Sequence, residues 1–311
     1  MEREFIAWLR QRLGSDSRLL VGPGDDAAVL ALGSRPELVV TTDMLMDGVD
    51  FVLSEADPRR IGRKALAVNL SDLAAMAAVP HSVVISVALP HACGFALGQE
   101  LFEGLLPLAM EFNTAIAGGD TNSWDGPLVI NITAFGTPTT QGPLLRSGAQ
   151  PGDAIVVTGA FGGSILGKHF DFVPRVREAL LLHERYELHA GMDVSDGLSL
   201  DLSRLCEASR CGAELLLDRI PIADAAHTLA ASRDVKDSQS ALDHALADGE
   251  DFELLLTVPA AEAERMCREQ PLAGVPITII GQIIAEPGLF AVDAAGRRTT
   301  LTPRGYEHKL Q

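Results

Sequence analysis

Six short stretches of this chain place carboxylates at the end of an apolar run, beside Gly, Ser or Thr. They are VGPGDDAAVL (21–30), TTDMLMDGVD (41–50), NLSDLAAM (69–76), AGGDTN (117–122), GMDVSDGLSLD (191–201) and DGEDFELL (248–255). Each alone has an ordinary account. Asp25 and Asp26 suit a tight turn, and Asp120 could sit in another. Ser71 or Asp72 could cap a helix over LAAMAA, and Asp193 or Ser195 one that starts near Gly197. Six independent coincidences are the less economical reading, because strand ends and helix starts are where ligand sites gather in α/β folds. So many carboxylates repel one another unless a cation lies among them. Hard oxygen donors without a His or Cys cluster favour magnesium over zinc or iron. The eight histidines are scattered and form no H-E-x-x-H, so they read as surface or core residues. Magnesium lets carboxylates hold phosphates that they would otherwise repel, and phosphoryl transfer from ATP is the commonest use of such an arrangement.

Other chemistries fit less well. GGSILGKH (162–169) follows the strand-like DAIVVTGA and nearly matches G-x-x-x-x-G-K-[ST]. His169, however, stands where a magnesium-binding hydroxyl is needed, and the glycines are expected to let a helix start close against the strand. Neither MDVSDGLSLDL nor TDMLMDGVDF has the alternating ligands, central Gly and twelfth-position Glu of a calcium-binding EF-hand loop. No G-x-S-x-G serine-nucleophile signature occurs.

The elements that must position these residues follow from the hydrophobic pattern. Strands are expected over 37–42, 81–89, 127–136, 153–160, 213–220, 252–258 and 276–284, with a further strand entering the core after Asp26. Helices are expected over 58–79, 98–113, 197–210, 239–247 and 260–269, and apolar residues from Phe5 to Leu13 are spaced along one more helix face. This is a mixed α/β chain, and its 311 residues are enough for two domains, each with its own core. The stretch 137–153, rich in Gly, Pro and Thr, puts the boundary near residue 142, giving domains 1–142 and 143–311. Residues 232–240 read as a surface loop.

Composition narrows the function. Asp and Glu number 42 against 25 Lys and Arg, a net charge of −17 with no basic stripe, so nucleic acid would be repelled. No run of about twenty apolar residues is present to span a membrane. The four cysteines include no C-x-x-C and read as reduced thiols of a cytoplasmic protein.

Taken in order and at these separations, GDDAAV, TTDMLMDGVDF, NLSDLAAMAA, GGDT, RSGAQPGD, VSDGL and GEDFEL resemble the thiamine-monophosphate kinases, a family in the larger group that includes aminoimidazole ribonucleotide synthetase. The resemblance runs from about residue 20 to Tyr306. It implies an α/β (α+β) two-domain fold whose N-terminal mixed-sheet domain binds ATP and several magnesium ions and pairs in a homodimer. It also implies the transfer of phosphate from ATP to thiamine monophosphate, giving thiamine diphosphate. Carried over by position, it makes Asp26, Thr41, Thr42, Asp43, Asp72, Asp120 and Asp193 magnesium ligands, with Asp196 holding a further ion. Gly119, Asp120, Arg146 and Ser195 fall where the family contacts ATP. Asp50, Glu250 and Tyr306 fall where it holds thiamine phosphate, although the family often has His at the position of Asp50. Asp25 is expected to form the turn beside Asp26. No general base is expected, because a phosphate-monoester acceptor is already largely dianionic at pH 7. Relatives that make selenophosphate or mature hydrogenases call for a reactive Cys near the N-terminus or a functional Cys at the C-terminus. Here the first cysteine is Cys93 and the sequence closes on HKLQ. A non-catalytic nucleotide or magnesium sensor is the rival of a different class, and turnover of ATP separates the two.

Overall fold

The computed structural model describes residues 19–21, 25–26, 28–30, 37–92, 94–232 and 239–308. The expected N-terminal helix, Cys93 and most of the 232–240 loop lie outside them. Two compact units emerge, each with its own sheet. One holds residues 19–143 together with Phe170–Val176, and the other Leu144–His169 with 177–308.

The first unit is built on a six-stranded sheet, ordered β1 (Leu19–Val21), β2 (Ala28–Leu30), β3 (Leu38–Met46), β6 (Val129–Pro138), β4 (Ala78–Pro90) and β5 (Ala115–Trp124). All neighbours are antiparallel except β4 and β5. That parallel pair needs a crossover, supplied by helix α2 (Gly94–Glu111). Helix α1 (Pro58–Ala75) begins where Asp57 accepts the Arg59 amide at 2.9 Å and Pro58 sets the first helical φ. It packs on β3, β4 and β6, while α2 packs on α1, β4 and β5. Along β6 every second residue from Ile130 to Gly136 is buried and the residues between are half-buried. One face therefore meets the helices and the other does not.

In the second unit a seven-stranded sheet runs β13 (Arg298–Thr300), β12 (Gly288–Val292), β9 (Gly212–Leu216), β11 (Ile277–Ile284), β7 (Ala154–Thr158), β10 (Leu254–Val258) and β8 (Ala190–Asp193). Strands β7 and β10, each paired on both sides, are buried at every position, as their mostly apolar runs lead one to expect. After β7 the chain forms helix α3 (Lys168–Asp171), whose last two residues count with the first unit, and then α4 (Val176–Arg185), all of it but Val176 in the second. Then come α5 (Leu198–Ser209), α6 (Asp224–Ala231), α7 (Ala241–Ala247) and α8 (Ala260–Glu269). The core gathers Ile155, Val157 and Met192 from the sheet with Leu198, Leu202 and Leu205 from α5.

Several expectations shift. Helix α1 ends at Ala75 instead of 79, because Ala77 turns the chain at φ 48° and β4 starts at Ala78. The stretch around Asp120 is a strand and not a turn. With two glycines, Asp and Asn it carries little strand propensity, and pairing with β4 overrides that. Strands β8, β12 and β13 and helices α3, α4 and α6 are too short or too polar to stand out in the sequence. Among the described residues no helix is long and apolar enough to cross a membrane. Cys206, Cys211 and Cys267 are free thiols.

Candidate functional site

In the first unit, Asp26 and Asp72 each offer a carboxylate oxygen within 4.8 Å of the other. Asp72 does not cap a helix start. It lies in the last turn of α1, whose N-cap is Asp57, so the negative end of the helix dipole opposes its charge. The Thr41 hydroxyl donates to Asp72 Oδ2 and lies 3.4 Å from the Asp26 carbonyl, so three separated segments meet at one point. Asp25 is the turn former beside them, its Oδ1 accepting the Asp26 amide at 3.0 Å.

Strand alternation sorts the remaining candidates. The ladders set Asp43, Ile132, Ile85 and Gly119 in one row and Met44, Asn131, Ser86 and Asp120 in the next. Asp43 thus shares the helix-covered face with Thr41, which is buried. Thr42 lies on the opposite face, within 3.0 Å of the Thr133 hydroxyl, and Asp120 lies on that face as well, exposed on the edge strand. At Gly119 a Cβ would come within 1.8 Å of the Ile85 carbonyl oxygen, which accounts for the glycine before Asp120. Asp50 folds back on its own turn. Its Oδ2 accepts the Met46 amide at 2.7 Å, and its carbonyl accepts the buried Lys64 ammonium at 2.7 Å.

The other candidates gather in the second unit, at the turn between β8 and α5. Asp193 ends β8, paired with Leu254 and 2% exposed. Past the strand end the chains stay linked, Phe252 N donating to Val194 O at 2.8 Å and Glu250 N to Ser195 O at 2.6 Å. Tyr306 joins by donating its amide to Asp196 O at 2.9 Å, with its ring half exposed. The hub is a residue the sequence reading passed over. Asp201, in the first turn of α5 and wholly buried, accepts the amides of Ser195, Asp196 and Gly197 at 3.1, 2.9 and 3.1 Å. An acid at this helix position is a recognised signal, and here it fixes the whole turn. Arg204 bridges Asp201 at 3.0 Å and also binds Asp196. Burial and the neighbouring Asp196 charge push the Asp201 carboxyl up to about 7, against the pull of Arg204 and the Asp196 amide. Arg146 lies close enough to add to that pull, and its carbonyl accepts the Ser209 hydroxyl at 2.8 Å.

Glu250 and Phe252 both adopt left-handed backbone, at φ 63° and 52°. Such conformations cost on the order of 1–3 kcal/mol each in a non-glycine residue and cluster at functional sites. Between them Asp251 is fully buried, and desolvation drives its carboxyl up to about 7 even with Lys168 nearby. The near-match to a nucleotide loop at 162–169 is not a phosphate cradle, since its Gly162 and Gly163 amides are spent on Asp251 and Asp248. Those glycines admit neighbouring backbone instead. A Cβ on Gly162 would meet Ala245 N at 2.7 Å, and one on Gly163 would meet Ala225 C at 2.5 Å.

Residues 24–137 match the family described as AIR synthase related protein, N-terminal domain, and residues 150–294 match AIR synthase related protein, C-terminal domain. The thiamine-monophosphate kinase of Rhodopirellula baltica is 44% identical, with 99% of this chain and 97% of that one covered. That of Escherichia coli is 36% identical over 99% and 98%. Among solved structures, AaThiL complexed with AMPPCP and TMP matches with a TM-score of 0.83 at 25% identity, covering 99% of this chain and 97% of that one.

Proposed function

Because the chain belongs to the AIR synthase related family, and within it to the thiamine-monophosphate kinases, we propose how its own residues carry out that reaction. The protein is a kinase that phosphorylates thiamine monophosphate with ATP, giving thiamine diphosphate and ADP. An oxygen of the acceptor phosphate attacks the γ-phosphorus in line, and the bond from that phosphorus to the β–γ bridging oxygen breaks. With a phosphate acceptor no side chain has to remove a proton, so the protein's task is to hold two anions together.

The observation that carries this reading is the approach of Asp26 and Asp72 to within 4.8 Å, with Thr41 bonded to Asp72. Two carboxylates and a hydroxyl form an all-oxygen donor set of the kind that fits magnesium. Asp26, Thr41 and Asp72 would hold one ion, with Asp43 a further ligand on their face of the sheet, while Thr42 and Asp120 would bind metal from the opposite face. On the second unit Asp193 would hold an ion and Asp196 a further one. When bound, magnesium supplies charge neutralisation on the phosphates of donor and acceptor. Gly119, Asp120 and Ser195 would contact ATP, and Arg146 would clamp its phosphates through charge-assisted bonds. Asp50, Glu250 and Tyr306 would hold thiamine phosphate. The glutamate would accept a hydrogen bond from the aminopyrimidine, and the half-exposed tyrosine ring would stack on a heterocycle. Residues 1–142 would form the ATP-binding and dimerising domain and 143–311 the second domain, in a protein of the cytoplasm.

Free magnesium tests the metal assignment. With ATP held saturating, the rate should keep rising as magnesium is raised past equivalence with ATP, because the carboxylates bind ions beyond the one that accompanies the nucleotide. A rate that levels off at equivalence would contradict it.

The homodimer is supported by the sheet face that the helices leave uncovered. Met44 is 58% exposed there, Val84, Val129 and Phe135 are half-buried, and edge strand β5 is exposed along nearly all its length. An apolar face ending in a long open edge calls for a partner. Light scattering should give twice the 33.0 kDa chain mass at micromolar concentration, and a stable monomer would count against the dimer.

A further inference from the structure

The segment 162–169 resembles a nucleotide loop without being one, and its polar groups have a different target. Gly162 N donates to Asp251 Oδ2 and Gly163 N to Asp248 Oδ2, both at 2.8 Å. Ser164 Oγ donates to the Gly249 carbonyl at 2.5 Å. Lys168 Nζ donates to Glu253 Oε1 at 3.0 Å and lies 3.7 Å from Asp251 Oδ1. Every one of these bonds ends on the 248–253 stretch. Its opposite side is tied to the β8–α5 turn through Glu250 N and Phe252 N.

Burial makes this arrangement demanding. Asp251 is 0% and Glu253 2% exposed, and Thr158 Oγ1 also donates to Glu253 at 2.8 Å. Lys168 faces both carboxylates, and losing it would weaken the neutralisation of two like charges held in a desolvated place. Glu250 sits between the carbonyl that Ser164 holds and the carboxylate that faces Lys168. Its left-handed backbone persists only where the surroundings over-determine it.

We propose that Ser164 and Lys168 are positioning residues for acceptor recognition: they fix the 249–251 backbone so that the Glu250 side chain is presented to thiamine phosphate. This rests on the reading above that Glu250 contacts that substrate. The glycine-rich segment is then a scaffold for the acceptor's organic part and has no direct role toward ATP.

Steady-state kinetics with each substrate varied separately tests this. Ser164→Ala disturbs no charge and should raise KM for thiamine phosphate about tenfold, as expected when one charge-assisted contact is misaligned. KM for ATP and kcat should not move. Lys168→Met should do the same, with recovery in Lys168→Arg. Should Lys168→Met fail to fold, Lys168→Met combined with Glu253→Gln removes the charge imbalance and keeps the question open to measurement. Thiamine-phosphate KM unchanged in Ser164→Ala and in the Lys168 variants would overturn the proposal. So would both KM values and kcat shifting together with the melting temperature, which marks a purely structural role. Glu250→Ala separates the two levels. If it raises KM for thiamine phosphate while Ser164→Ala does not, only the positioning role falls; if it leaves that KM unchanged, the substrate contact and the positioning role fall together.

Discussion

Replacing Asp72 with Asn should lower kcat about a thousandfold and leave the protein folded, with its melting temperature unchanged or raised. The amide has almost the size of the carboxylate, and its oxygen can still accept the Thr41 hydroxyl. What it loses is the charge, which two features of the structure oppose. Asp72 lies in the last turn of α1, where the helix dipole disfavours an anion by about 0.3–1 kcal/mol. It also lies within 4.8 Å of the Asp26 carboxylate, which repels it. Removing a charge that both the helix dipole and Asp26 oppose should cost the apo protein little, while removing the proposed metal ligand should abolish turnover. Loss of activity without loss of stability separates a ligand from a structural residue. Excess magnesium should restore part of the rate. A variant with near wild-type turnover at ordinary magnesium would contradict the assignment, and one that loses activity only because it melts earlier would do so equally.

Much of the fold is legible in the sequence. Strands β4, β6, β7, β10 and β11 and helices α1, α2, α5, α7 and α8 were legible because long apolar runs and the 3.6-residue period leave strong signals. Strand β5 was not. AIAGGDTNSW holds its place through backbone bonds to β4, and no side-chain pattern announces such bonds. For the same reason the sequence shows which residue types cluster but not which face each one takes. Thr41 and Thr42 are neighbours in the chain yet lie on opposite faces of the sheet, and Asp120 is set one row away from Asp43. The supporting residues were the hardest to see. Ser164 and Lys168 hold a segment 85 residues away, which nothing local marks, whereas Asp201 carries the local signal of an acid in a helix's first turn but not its burial or its three amide bonds. Glu250 was legible as a carboxylate, whereas its left-handed backbone was not, since glutamate has no propensity for it.

A transfer that needs cations and alignment but no base has a consequence for the acceptor. A hydroxyl must lose a proton as it attacks, and kinases that phosphorylate alcohols place an Asp to accept it. Here Asp26, Asp43, Asp72, Asp120, Asp193 and Asp196 are all proposed magnesium ligands, and a metal-bound carboxylate is a poor proton acceptor. Thiamine phosphate, with a second pKa of about 6, arrives already deprotonated at neutral pH. Free thiamine would present the same heterocycles to the contacts proposed for Glu250 and Tyr306 but only an alcohol to ATP. The direct measurement is to supply thiamine phosphate and free thiamine separately, each with saturating ATP and magnesium, and to resolve the products by chromatography. Thiamine phosphate should be converted to the diphosphate while free thiamine is left essentially untouched; comparable phosphorylation of free thiamine, or none of thiamine phosphate, would contradict the account.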